Sequence, residues 1–100
     1  MVIAEVSIVP LGTGSPSVSR YVAAAVRELE ASGLNCTLGP IGTTVEAKTT
    51  KEFYAALARA QAIVFEMGLE RAYTVVKMDE RKDMDTRTAE DMLRSARESS

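Results

Sequence analysis

The chain has 100 residues, 46% of them hydrophobic and 26% charged, with 12 Lys and Arg set against 14 Asp and Glu for a net charge of −2. That length fits one domain, residues 1–100, with enough apolar material for a core that is only modestly stable alone and would gain from oligomerisation. The mildly acidic balance argues against general phosphate-backbone binding, and the absence of histidine beside a single cysteine removes the usual zinc ligand sets, histidine-activated nucleophiles and an intrachain disulfide.

Met1-Val2-Ile3-Ala4-Glu5 has no basic start and reaches an acidic residue at once, so it does not read as a signal peptide. No apolar run is long enough to span a bilayer. With no disulfide framework either, the expected location is cytoplasmic.

Val2 to Leu11 alternates loosely and is rich in β-branched residues, which predicts a first strand. Ala4, Val6 and Ile8 share one face; Glu5, Ser7 and Val9 share the other. Gly12-Thr13-Gly14-Ser15 is a loop. A first helix is expected from Pro16 to Ser32, with Ser15 as its N-cap. Its apolar stripe is Val18, Tyr21, Val22, Ala25, Val26 and Leu29, and Gly33 stops it.

Leu34 to Leu38 is a short second strand. The turn Gly39-Pro40-Ile41-Gly42 returns the chain into a third strand, Thr43 to Lys48, and the two make a hairpin. Thr49 and Glu52 have capping-box spacing. A second helix follows to Met67, with Phe53, Leu57, Ala60, Val64 and Met67 inward, and Gly68 stops it. Arg71 to Asp79 carries strong β formers and is strand four. Glu80 to Asp85 is a charged loop. A last helix starts near Thr86 or Thr88, on a stripe of Ala89, Met92, Leu93 and Ala96, and Ser99 and Ser100 are expected to fray. The chain shows no internal repeat, linker or low-complexity tract.

The order β-α-β-β-α-β, with one further helix, predicts an α+β, ferredoxin-like βαββαβ sandwich with an additional C-terminal helix. Strands one and three lie in the centre. The helix-covered face takes Ala4, Val6, Ile8, Val45 and Ala47; periodicity does not decide between Val75 and Val76. The other face carries Glu5, Ser7, Val9, Thr44 and Glu46, a mixture suited to partial burial against another subunit.

Thr43-Thr44-Val45-Glu46 is the segment with most chemical content. Thr44 and Glu46 point the same way along the strand while Val45 anchors the other side. A carboxylate on a sheet face that will be covered needs a donor or a cation, so Glu46 and Thr44 predict a site for a polar or cationic ligand. The competing reading of Glu46 is an ion pair with Lys77 or Arg71. Gly12 to Ser15, with Arg20 nearby, reads either as an anion cradle at a helix start or as a plain turn with a cap. Cys36 reads as a small buried hydrophobe. Tyr21 lies in the apolar stripe and reads as core.

The segments Val9-Pro10-Leu11-Gly12-Thr13-Gly14, Ser17-Val18-Ser19-Arg20-Tyr21-Val22, Gly33-Leu34, Gly39 through Glu46, and Arg71 with Lys77-Met78-Asp79-Glu80-Arg81 together resemble a small thiamine-binding family, formerly uncharacterised and related to YkoF-like thiamine and hydroxymethylpyrimidine binders. The resemblance covers nearly the whole chain. It implies the ferredoxin-like fold, a homo-oligomer (dimer or tetramer) assembled through the sheet faces, and binding of thiamine or its pyrimidine part. It does not imply a catalytic reaction, and no cofactor is expected beyond thiamine as a ligand; the chain's charge and hydropathy argue for no nucleic-acid and no membrane partner. On that expectation Glu46 accepts from the amino group or offsets the thiazolium cation. Thr43, Thr44, Ser7 and Ser19 supply neutral partners, and Tyr21 or Phe53 offers a ring face. The alternatives are an acylphosphatase-like hydrolase using the Gly12–Ser15 loop and Arg20, and a purely oligomeric regulatory module. The single asparagine, Asn35, lies away from that loop, which disfavours the hydrolase.

Overall fold

The computed structural model describes residues 1–84 and 86–99. It contains β1 (Val2–Leu11), α1 (Ser19–Ala31), β2 (Asn35–Leu38), β3 (Thr43–Ala47), α2 (Thr50–Glu66), β4 (Arg71–Glu80) and α3 (Ala89–Glu98). The strands form an antiparallel sheet in the order β2-β3-β1-β4, so the first and third strands are central, as a ferredoxin-like fold requires. None of the described helices is long and apolar enough to cross a membrane.

Alternation along β1 sorts its residues cleanly. Val2, Ala4, Val6 and Ile8 are buried beneath α1 and α2, while Glu5 and Val9 are exposed on the opposite face. β3 repeats the pattern: Thr43, Val45 and Ala47 are buried and Thr44 and Glu46 are half-buried on the other side. The β1–β4 register pairs Val6 with Val76 and Ser7 with Val75. Val76 therefore faces the helices and Val75 faces outward. Phe53, Leu29, Val2, Val45 and Val64 are the largest fully buried side chains.

Six boundaries differ from the sequence reading, all but one by a single residue: α1 ends at Ala31, β2 starts at Asn35, β3 ends at Ala47, α2 ends at Glu66 and β4 ends at Glu80. The first helix starts at Ser19 rather than Pro16, with Val18 in the cap position and no side-chain cap. The reason lies in the preceding hydroxyls. Thr13 Oγ1 donates to the Ser15 carbonyl at 2.7 Å and accepts from the Ser15 amide, and Ser15 Oγ accepts from the Ser17 amide at 3.1 Å. These local bonds hold the segment in turns, offering its backbone an alternative to the helix. Strand four runs one residue past Asp79, to Glu80, where the Glu80 carboxylate accepts from Thr50 Oγ1 at 2.7 Å and ties the strand end to the start of α2.

The remaining ends follow local chemistry. Gly33 has φ +89°, a left-handed conformation that costs a residue without a Cβ little, and its amide donates to the Glu30 carbonyl as α1 closes. Thr49 caps α2 by accepting from the Glu52 amide. Thr88 and Asp91 form a reciprocal capping box at α3. Arg81 pairs with Asp83 inside its own loop, the near end of the charged segment whose last member, Asp85, lies outside the described residues, as does Ser100. No residue of α3 is buried; it meets the open sheet face chiefly through the half-buried Met92, beside Ile3 and Lys77.

The two faces predict unequal mutational costs. Phe53→Ala should destabilise the fold by about 3–5 kcal/mol, whereas Val75→Ala should cost under about 1 kcal/mol, both read from urea unfolding midpoints.

Candidate functional site

The site begins with a mismatch of strand lengths. β1 has ten residues and β3 five. β4 pairs with β1 from Val2 to Leu11, but β3 pairs with it only from Val2 to Val6. From Ser7 onward, the flank of β1 that faces β3 has no strand neighbour among the described residues. Backbone donors and acceptors on such a flank need partners from elsewhere.

The β2–β3 turn hangs beside this flank. Its closing bond runs from the Gly39 amide to the Gly42 carbonyl at 2.9 Å. α1 lies across the other side. Between them is a cleft of about 340 Å³, bordered by Ser7 and Val9 of β1, Val22 and Val26 of α1, Ile41 of the turn and Thr43 of β3. Its volume falls in the range of small-molecule pockets, roughly 300–1,000 Å³. None of the residues lining it carries a charge. Ile41 is 84% exposed and Leu38 66% exposed at its rim, a large apolar outlay for a turn in water.

The six predicted ligand residues fall in three places. Ser7 and Thr43 border the cleft, with Thr43 nearly fully buried. Thr44 and Glu46 lie on the open sheet face. There Glu46 Oε1 accepts from Asn35 Nδ2 at 3.1 Å, its partner in the β2–β3 register, while Lys77 is the register partner of Glu5. Glu46 also edges a hollow of about 440 Å³ with Met1, Lys48 and Glu52 at the end of the sheet. Thr44 edges another, of about 330 Å³, with Glu5, Lys77 and Met92.

Ser19 and Tyr21 open α1, where Thr13, Ser15, Ser17 and Arg20 surround a hydroxyl-rich hollow of about 370 Å³. Tyr21 is 7% exposed and belongs to the core; its hydroxyl accepts from Arg20 Nη2 at 2.8 Å, and the guanidinium lies 4.7 Å from the ring centroid. Arg20 is thus turned onto its neighbour's ring. Phe53 cannot offer a ring face to a ligand. It is 0% exposed, held edge-on to Tyr54 at 5.4 Å, because the inward stripe of α2 drives it beneath the sheet.

Cleft residues missed by the sequence reading include Val22, Val26 and Ile41. The first two were visible only as part of a helical stripe; Ile41, an apolar residue inside a Gly-Pro-Ile-Gly turn, was the available signal. Cys36 is half-buried and sits under α1. Burial first, and the nearby charge of Glu30 second, push its thiol up to about 11. At neutral pH that leaves roughly a hundredfold less thiolate than a cysteine at its ordinary value, which disfavours a nucleophilic role.

Residues 4–97 match the family model described as thiamine-binding protein. The chain is 39% identical over 98 residues to the UPF0045 protein of Methanothermobacter thermautotrophicus, covering 98% of both chains. It is 37% identical over 90 residues to the UPF0045 protein YqgV of Bacillus subtilis, covering 86% of both. Among solved structures, hypothetical protein MJ1052 of Methanocaldococcus jannaschii superposes with a TM-score of 0.85 at 36% identity, over 97% of this chain and 96% of that one. A Thermotoga maritima protein, TM0486, whose proposed role is thiamine biosynthesis or salvage, superposes with a TM-score of 0.78 at 18% identity over 95% and 97%, a likeness of fold. The chain belongs to the thiamine-binding protein family.

The thiol gives a direct check. Alkylation of Cys36 by iodoacetamide at pH 7.5 should run at least about tenfold slower in the folded protein than in urea, and its rate should climb with pH up to about 11.

Proposed function

We propose that the protein binds thiamine or its hydroxymethylpyrimidine part without transforming it. The observation that carries this reading is the match of almost the whole chain to a family described by thiamine binding. The cleft between β1, α1 and the Gly39–Gly42 turn offers the place. An aminopyrimidine is flat, neutral and edged with both donors and acceptors. Beyond Val6 the flank of β1 facing the cleft leaves the main-chain groups of alternate residues without a strand partner, and Thr43 adds a hydroxyl. Val22, Val26 and Ile41 would hold the ring faces by apolar contact.

The lack of histidine and the protonated Cys36 thiol support capture rather than turnover. The remaining predicted residues, Thr44 and Glu46 on the open face and Ser19 and Tyr21 at the helix start, would act around this site rather than inside it. The open face exposes Val9, Tyr73 and Val75. We read it as the surface on which a second copy assembles, which would enclose Thr44 and Glu46 beside the cleft.

Titration calorimetry with thiamine and with hydroxymethylpyrimidine tests the reading. Both should bind saturably. Val22→Phe, which fills the cleft, should abolish binding while leaving the circular dichroism spectrum unchanged. Thr43→Val should weaken binding by about three- to tenfold, the worth of one hydrogen bond. Absence of heat from either ligand at millimolar concentration would remove the proposal. Loss of binding in Glu46→Gln with retention in Val22→Phe would move the ligand to the open face.

A further inference from the structure

Glu5 lies outside the cleft's lining, at the edge of the open-face hollow with Thr44, Lys77 and Met92, yet its placement is specific. It lies on β1 on the open face, with Thr44 of β3 and Lys77 of β4 as its register partners. Its side chain leans toward the β3 side. A Cβ built on Gly42 would meet Glu5 Cγ at 3.0 Å and Cδ at 3.2 Å, so the carboxyl group rests against the bare glycine. Gly42 is itself one of the residues lining the cleft, and so are Val6 and Ser7, the next residues along β1 from Glu5. A Cβ at position 42 would crowd the Glu5 stem and the Val6 carbonyl, 3.3 Å from the same point, so the Glu5 side chain would have to shift slightly.

The electrostatic consequence follows from two facts. None of the residues that line the cleft is charged, so no lining group offsets a charge carried by the ligand. The carboxylate of Glu5 leans toward the cleft's margin, while Lys77, its register partner on the adjacent strand β4, lies on the side of β1 away from the cleft. A negative charge beside a slot with no charged lining attracts a cation and repels an anion, an effect that salt screens because Glu5 is exposed. We infer that Glu5, held over Gly42 at the edge of the cleft, makes the site select a cationic, unphosphorylated ligand and reject its phosphate esters. This rests on the binding reading above and adds the ligand's charge state to it. Rejection of the wrong ligand is achieved by like-charge placement rather than by a contact.

Three ligands of one scaffold form a charge series: thiamine, a cation; hydroxymethylpyrimidine, neutral; and thiamine diphosphate, an anion. Calorimetry should rank thiamine above the diphosphate in the unmodified protein. Glu5→Gln should narrow that ratio by about fivefold, weakening thiamine, strengthening the diphosphate and leaving hydroxymethylpyrimidine unchanged. High salt should shrink the ratio in the unmodified protein and have little effect on Glu5→Gln. Equal affinity for thiamine and its diphosphate, or a ratio that Glu5→Gln does not move, would overturn the inference while the binding reading stands. Failure of every member of the series to bind would remove both.

Discussion

A ten-residue central strand beside a five-residue neighbour is the constraint on which the rest of the molecule turns. Were β3 as long as β1, the sheet would be closed along its length and α1 would pack on it without a gap. Because β3 starts at Thr43, the turn before it falls alongside the middle of β1 and the helix bridges over a space. Main-chain groups that would have been spent on a ladder are left facing that space. A small pocket with built-in donors and acceptors follows from strand length alone, before any side chain is chosen.

Side chains then divide the labour. The helix-covered face is filled by Val2, Ala4, Val6, Val45, Phe53 and Val64, none more than 4% exposed, so the strands that frame the cleft are held by a close-packed interior. The opposite face is a different surface. It carries Glu5, Lys77 and Asp79 beside Val9, Val75 and Tyr73, and α3 reaches it with little more than Met92. A helix that brings its own capping box but buries none of its residues is locally self-sufficient and weakly held.

Charge is used sparingly on this chain. The ion pairs Arg59–Glu28, Arg81–Asp83 and Arg94–Asp91 are solvent-exposed to a degree that makes them minor for stability. Glu5 and Glu46 differ in kind. They stand on central strands of one sheet face, one resting against a glycine and the other bonded to Asn35. Arg20, by contrast, lays its guanidinium on the ring of Tyr21 and donates to its hydroxyl.

The order of elements, the two sheet faces and the inward stripes of both long helices were legible in the amino-acid sequence, because alternation along strands and helical spacing are local properties written residue by residue. So were the stops at Gly33 and Gly68 and the cap at Thr49, whereas the start of the last helix stayed open between Thr86 and Thr88 until the Thr88–Asp91 box fixed it. The start of α1 was not, since Thr13 and Ser15 could satisfy either a helix end or a turn, and only the folded loop chose between them. The choice between Val75 and Val76 also waited on the register with β1, because a run of two valines fits either face. The cleft is a wholly tertiary object. Ser7, Val22, Ile41 and Thr43 lie on four different elements, and what joins them is the early end of β3 against a longer β1, a difference in pairing length that exists only once the strands have found each other.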